Sequence, residues 1–307
     1  MKYTIYLGSR CNMNCTYCHR VSSENECRCT DELYDKVRGA ESIKFMGGEP
    51  TLYMEDIKKF VEQNPQAEFI ITTNGKNIDE HIDYFRKHNF FIIISFDGNQ
   101  SLREKTMPFS DCLKDYPKLG VSCTLFHGNT SFLHILNEFN KCENIIGRTI
   151  SFYPHIMHTT NDTNDGYSLD KVDYDNILFQ FKLYINRFLE DKKLGIINYR
   201  YQALYDFLER TVNTHYEYGE TYCLNSRCTK LDYQGNTLNC LYMREDKVPE
   251  QFIEYQKNIL DKFPNCKDCD VYQYCGGACI KSKKHFLECY YYKELINWYL
   301  NRRKNEK

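Results

Sequence analysis

Tyr3-Thr4-Ile5-Tyr6-Leu7-Gly8-Ser9-Arg10-Cys11-Asn12-Met13-Asn14-Cys15-Thr16-Tyr17-Cys18 begins as a strand and ends as a set of thiols. Aromatic and β-branched residues dominate positions 3–7, and Gly8 and Ser9 end the run. Cys11, Cys15 and Cys18 follow at once with the spacing C-x3-C-x2-C. Three thiolates on one short loop can wrap one face of a four-iron cluster and leave its fourth iron without a protein ligand. An open iron is a place for substrate or cofactor to bind. Structural zinc is the alternative, but it wants four ligands, and His19, directly after Cys18, is poorly spaced to supply the last. The loop sits at the carboxyl end of a strand, where parallel α/β folds and barrels place their chemistry.

Working outward, short strand patterns at 3–7, 42–45, 68–72, 91–96, 121–126 and 149–153 alternate with helical ones at 31–38, 54–63, 78–87 and 131–140. Six βα units in a row predict a parallel sheet with right-handed crossovers. They end near residue 160, too few to close an eight-stranded barrel, so the expected class is α/β, a partial (βα)6 TIM-like barrel. A polar stretch from His158 to Gly166 reads as a loop, and two amphipathic helices follow at 170–192 and 199–213. From Tyr222 the composition changes, with eight of the sixteen cysteines lying between Cys223 and Cys289. The expected domains are therefore 1–165 (partial barrel), 166–215 (bridging helices) and 216–307 (a cysteine-rich domain). The tail, 290–307, reads as a helix whose last basic run, Arg302-Arg303-Lys304, suits the helix dipole.

Composition removes several classes of function. The 307 residues carry 40 Lys+Arg against 42 Asp+Glu, a net charge of −2, so no chain-wide basic field draws nucleic acid or anionic membrane. Mean hydropathy is −0.64 and no 18-residue apolar run occurs, which argues against a transmembrane helix. Residues 1–10 lack the apolar core and cleavage site of a signal peptide. A cytoplasmic chain keeps its thiols reduced, and clustered cysteines there point to metal rather than disulfides.

Three further motifs recur at strand ends: Gly47-Gly48-Glu49-Pro50-Thr51 after the second, Thr72-Thr73-Asn74-Gly75 after the third, and Ser95-Phe96-Asp97-Gly98 after the fourth. Each alone is an ordinary turn signal, and a tight turn explains paired glycines as well as a ligand does. In this order, and behind the cysteine triplet with Tyr17 as its aromatic, they resemble the radical S-adenosylmethionine (SAM) family. That resemblance implies an open iron chelated by SAM, one-electron cleavage to a 5′-deoxyadenosyl radical, and hydrogen abstraction from substrate. It also implies SAM contacts at Tyr17, at Gly47, Gly48, Glu49 and Pro50 near the amino group, and at Thr73, Asn74, Ser95 and Asp97. Residues 150–154 resemble the family's QFxP-type strand, with Ser151 in place of Gln. One departure follows the fourth motif: Arg103-Glu104 and Met107 stand where many relatives carry a His-Asp pair and an Arg for the SAM carboxylate.

The second cysteine set reads Cys223-x4-Cys228-x11-Cys240, then Cys266-x2-Cys269-x5-Cys275-x3-Cys279-x9-Cys289. Eight thiolates are the complement of two fully ligated four-iron clusters. A zinc ribbon on Cys266/Cys269 and Cys275/Cys279 is the alternative, and it leaves four cysteines unexplained. The spacing resembles the SPASM extension of radical SAM enzymes. That resemblance implies one auxiliary cluster on Cys223, Cys228, Cys240 and Cys279 and another on Cys266, Cys269, Cys275 and Cys289. Three 4Fe-4S clusters and SAM are then the expected cofactors.

SPASM enzymes mostly modify peptides, so the resemblance implies a peptide substrate that is crosslinked, epimerised or oxidised. Leu241, where sulfatase-maturating relatives carry an Asp base, argues against sulfatase maturation. With no module expected ahead of Met1, substrate is expected to be gripped by the barrel, by the helices at 170–213 or by a separate leader-recognition protein, and a flavodoxin- or ferredoxin-type protein is the expected electron donor. Alternatives are a radical SAM dehydrogenase or rearrangement enzyme on a small molecule, a protein maturase, or a non-catalytic zinc or electron-transfer protein. Cys27, Cys29, Cys112, Cys123 and Cys142 read as structural, although a thiol such as Cys123 could serve an epimerase as hydrogen donor. Tyr153, His155 and His158 are expected at or beyond the end of the sixth strand, and a capped strand end explains them as well as a substrate role does.

Overall fold

The computed structural model describes residues 1–18, 28–98, 109–159, 165–218, 228–238, 263–279 and 282–305. Among the described residues seven strands form one sheet in the order β6-β5-β4-β3-β2-β1-β7. They are β1 (Lys2–Tyr6), β2 (Ser42–Met46), β3 (Glu68–Thr73), β4 (Phe91–Ser95), β5 (Leu119–Leu125), β6 (Phe152–Ile156) and β7 (Thr229–Asp232). From β7 through to β5 every neighbouring pair is parallel. The class is thus α/β with an open parallel sheet, the arrangement of a partial TIM-like barrel.

Strand chemistry separates the two faces. Ile5, Phe45, Ile71, Ile92 and Leu119 occupy one face in matching register, and all are buried. Helices α1 (Asp31–Lys36), α2 (Met54–Gln63), α3 (Ile78–Lys87) and α4 (Phe132–Ile146) supply its cover. Phe60 of α2 lies 5.7 Å from Phe45 and 4.4 Å from Tyr34 of α1, ring centroid to centroid. The other face carries Thr4, Tyr6, Lys44, Met46, Thr72 and Ser95, mixed in polarity, and all but Thr4 are half-buried. A parallel sheet covered on both sides would read apolar on both; this alternation leaves one face suited to chemistry.

Compact packing divides the chain into two units that are discontinuous in sequence. One comprises 1–123, 134–150 and 227–241; the other comprises 124–133, 151–226 and 242–307. β7 comes from the cysteine-rich segment yet lies in the first unit, pairing Tyr3 with Thr229 and Tyr6 with Asp232. Four residues of TKLD have too little periodicity to announce a strand. A buried Asp232 ends it by accepting bonds from the backbone of Gln234 and Asn236 and the Asn236 amide.

In the second unit α5 (Lys171–Lys193), α6 (Tyr199–Asn213) and α8 (His285–Asn305) pack through aromatic rings, Phe188 against Tyr205 and Tyr174 against Tyr291, with the short α7 (Tyr272–Cys275) beside them. No helix among the described residues is long and apolar enough to cross a membrane.

The sixth strand departs from expectation. It runs over Phe152–Ile156, three residues later than its pattern, so Tyr153 and His155 lie within it and only His158 lies beyond. Pro154 reads as a stop, but β6 is an edge strand, where a residue without an N–H is tolerated.

Candidate functional site

The loop after β1 is held by backbone. Gly48 N–H donates to Gly8 O at 2.8 Å and Glu49 N–H to Arg10 O at 2.9 Å. A Cβ on Gly48 would stand 2.3 Å from Arg10 O and 2.4 Å from Ser9 O, and one on Gly47 would stand 2.6 Å from Gly8 O. The paired glycines are therefore required for the two loops to meet. This cause is separate from a tight turn or a ligand.

Glu49 is fully buried, and its carboxylate joins strand ends. Oε1 accepts from Thr51 N (3.0 Å), Thr51 Oγ1 (2.8 Å) and Thr73 Oγ1 (2.7 Å), while Oε2 accepts from Asn74 N (2.7 Å). Four donors to one carboxylate offset the cost of burying its charge. Pro50 occupies the first turn of the short helix Pro50–Tyr53, where a missing N–H costs little.

From Asn74 the network reaches the cysteines. Its Nδ2 donates to Asn12 Oδ1 at 2.8 Å and lies 3.8 Å from Cys11 Sγ, and its Oδ1 accepts from Lys76 N at 2.9 Å. Thr73 Oγ1 also accepts from Gly75 N at 3.0 Å. Thr73 and Asn74, two of the side chains that the resemblance assigns to SAM contact, are thus engaged within the chain. Burial pushes the Cys11 thiol up, the Met13 backbone opposes this, and the neighbouring Glu49 and Cys18 add to it. Cys18 N–H closes the loop onto Cys15 O at 3.0 Å. Tyr17 Oη donates to Asp97, 1% exposed at the end of β4, and Ser95 is half-buried on that strand. Arg103, Glu104 and Met107 lie outside the described residues.

In the second unit four thiols influence one another: Cys266, Cys269, Cys275 and Cys289. Burial first, then Cys289, Cys275 and Cys269, pushes Cys266 up to about 12. Burial likewise pushes Cys275 up to about 11, opposed by the backbone of Gly277. Thiols stacked this way resist ionising together in the absence of a cation, and a metal centre would supply that charge. Cys289 lies with this group, while Cys279 lies elsewhere. The atoms of His158, Cys279 and Glu288 able to bind a metal are within 4.8 Å of one another. Periodicity had no way to flag Glu288, which sits 130 residues from His158 in a helix of mixed aromatic, aliphatic and charged residues.

In the first unit Cys228 Sγ is 3.2 Å from Thr4 Oγ1 and near Lys44, whose ammonium burial lowers below the usual lysine range. Cys223, Cys240, Leu241 and Cys27 lie outside the described residues. Among the described residues all thirteen cysteines are free thiols. Cys123 and Cys142 are fully buried, and burial raises Cys112 to about 11 and Cys142 to about 12. These surroundings suit inert structural thiols.

No family model matches the chain. It is 24% identical over 336 residues to a cysteine-type anaerobic sulfatase-maturating enzyme of Clostridium novyi (strain NT), covering 90% of this chain and 87% of that protein. It is 21% identical over 359 residues to the radical SAM cyclopropyl synthase TigE of Paramaledivibacter caminithermalis, covering 98% and 74%. Of solved structures, native anSMEcpe with bound AdoMet matches with a TM-score of 0.69 at 20% identity over 99% of this chain and 98% of that one. Streptococcus suis SuiB bound to S-adenosylmethionine matches with a TM-score of 0.57 at 16% identity over 90% and 70%. In sequence and in fold, the chain resembles radical SAM enzymes of the SPASM, peptide-maturing kind.

Proposed function

We propose that the chain is a radical SAM enzyme that abstracts hydrogen from a residue of a ribosomally made peptide. In this reading 1–165 carries the SAM-binding cluster, 166–215 bridges, and 216–307 carries ligands for two auxiliary clusters. The observation that carries it is the single network joining Cys11, Glu49, Thr73 and Asn74, residues of three successive strand ends. A structural turn needs no such convergence.

Cys11, Cys15 and Cys18 would hold a four-iron cluster with SAM at its open iron, and that group would supply the hydrogen-abstracting radical on one-electron reduction. The chain's own residues do the rest. Glu49 locks the second and third strand ends, and the Gly47-Gly48 backbone beside it is where the resemblance puts the SAM amino group. Asn74 holds Cys11 and Asn12 in place. Tyr17, bound to Asp97, ties the cysteine loop to β4. Ser95, on the half-exposed face, can contact the cofactor. The remaining ligand sets are Cys223, Cys228, Cys240 and Cys279, and Cys266, Cys269, Cys275 and Cys289, the latter supported by their mutual influence.

A peptide substrate is supported by the relatives, one a sulfatase-maturating enzyme, and by a further match, with a TM-score of 0.66, to native anSMEcpe with bound AdoMet and the Cp18Cys peptide. Leu241 favours a reaction other than sulfatase maturation. A separate leader-recognition protein and a flavodoxin- or ferredoxin-type donor complete the proposal. Anaerobic reconstitution is expected to load about twelve irons per chain and to give reductant-dependent 5′-deoxyadenosine. Cys15→Ala should abolish the nucleoside and remove about four irons. Colourless protein with stoichiometric zinc would refute the reading, and mass spectrometry of a co-expressed peptide distinguishes loss of two hydrogens from epimerisation.

A further inference from the structure

The basic run at the end of α8 does not face water uniformly. Arg303 lies 3.8 Å from Glu209 and Lys304 is exposed, whereas Arg302 is half-buried and lines a cleft of about 400 Å³ with Trp298, Asn301 and Asn305. These residues follow the i, i+3, i+4, i+7 spacing and so share one side of α8. From α5, Lys182 Nζ stands 5.9 Å over the ring of Trp298, the chain's one tryptophan. Both helices belong to the second unit.

Beside Lys182 runs an apolar ridge. Phe179, three residues before it, and Leu183, four after Phe179, are 66% and 51% exposed. Core packing does not account for them, because α5 already buries Ile177, Phe181, Ile185 and Phe188 on its inward side. Exposed apolar side chains rimmed by polar ones mark surfaces that meet a partner. The cleft's volume falls within the range of ligand pockets, about 300–1,000 Å³. Lys182 and Arg302 suit carboxylates, Trp298 and the ridge suit apolar side chains, and the amides of Asn301 and Asn305 can both donate to and accept from a peptide backbone. Exposed Glu294, one turn before Trp298, bounds the positive end. Two cations are few for the charge-driven grip on a phosphate backbone, whereas they match a short acidic stretch.

We propose that this cleft and ridge dock an acidic, apolar segment of the peptide substrate, apart from the residue that reacts. This rests on the reading of the substrate as a peptide, and adds that the chain itself holds part of it.

The test uses the full chain, reconstituted anaerobically, and a synthetic peptide of Glu, Leu and Phe, compared with versions in which Gln or Lys replaces Glu. The Glu peptide is expected to bind saturably when labelled and followed by fluorescence anisotropy. Unlabelled, it should shift the emission of Trp298, which as the sole tryptophan reports the cleft alone. Lys182→Glu combined with Arg302→Glu should weaken the Glu peptide at least about tenfold and favour the Lys peptide, a reversal that a misfolded chain does not produce. Phe179→Ser with Leu183→Ser should weaken the Glu peptide with the fold intact, since both side chains are exposed. Equal binding of the Glu and Gln peptides, a charge-reversed variant that binds as the parent does, or no saturable binding below about 1 mM would overturn the docking site. The wider reading is judged separately by reductant-dependent 5′-deoxyadenosine, which these variants should retain. Nucleoside formation without peptide binding removes the docking site and leaves the radical SAM reading standing; binding without nucleoside supports the docking site and removes that reading.

Discussion

At the scale of single residues, close approach and complete hydrogen bonding govern the first site. Gly48 has no room for a methyl group, because the atoms it would strike are backbone oxygens of the cysteine loop. Gly48→Ala is therefore expected to cost on the order of 3 kcal/mol and to displace the loop. Iron bound per chain should fall while the C-terminal iron signal persists, as measured by iron assay and thermal melting. The cysteines, Glu49 and Asn74 were legible in the sequence because metal chemistry and turns use few residue types at fixed spacings. The partners of Glu49 were not: a motif shows that a carboxylate follows two glycines, but only folding shows Thr51, Thr73 and Asn74 converging on it. Glu288 was beyond reach for the same reason, since nothing local marks a buried acid whose partner is His158.

Helices and strands add a proton-linked contact away from the cysteines. α5 begins with a capping box in which Asp170 accepts from Asp173 N and Asp173 accepts from Asp170 N, and His127 Nδ1 lies 2.7 Å from the same Asp173 oxygen. The bond and then the charge of Asp173 hold His127 above its ordinary value. A histidine whose native pKa exceeds its unfolded one stabilises fully below the unfolded value, about 6.5, and loses that contribution as pH climbs through the native value. Wild type should thus melt above His127→Asn at about pH 5.5, and the gap should close by about pH 8.5. A gap independent of pH would show that the contact is packing alone. Most elements were readable because their periodicities are long: α2, α3 and α6 fall where their patterns end. β6 was misplaced because a proline's meaning depends on whether its strand lies at an edge, which is a property of the sheet.

Across the whole molecule, the described cysteines of the second unit separate into a group of four and Cys279, which lies within 4.8 Å of His158 and Glu288. Cys266→Ala is expected to remove about four irons of about twelve and to leave 5′-deoxyadenosine formation in place, because SAM cleavage belongs to the first cysteine loop. Loss of nucleoside formation at full iron on that loop would show that electron delivery depends on this set. The open α/β sheet followed from counting six units, yet the seventh strand did not, since β7 is short, polar and donated from far along the chain.

That late strand has a consequence during synthesis. At the ribosome's pace of about 5 to 20 residues per second, β1 emerges roughly ten to forty-five seconds before β7 is made. Throughout that interval one border of β1 has every amide and carbonyl available to a stray chain. A nascent or truncated product ending short of Thr229 would be the species most in need of a chaperone.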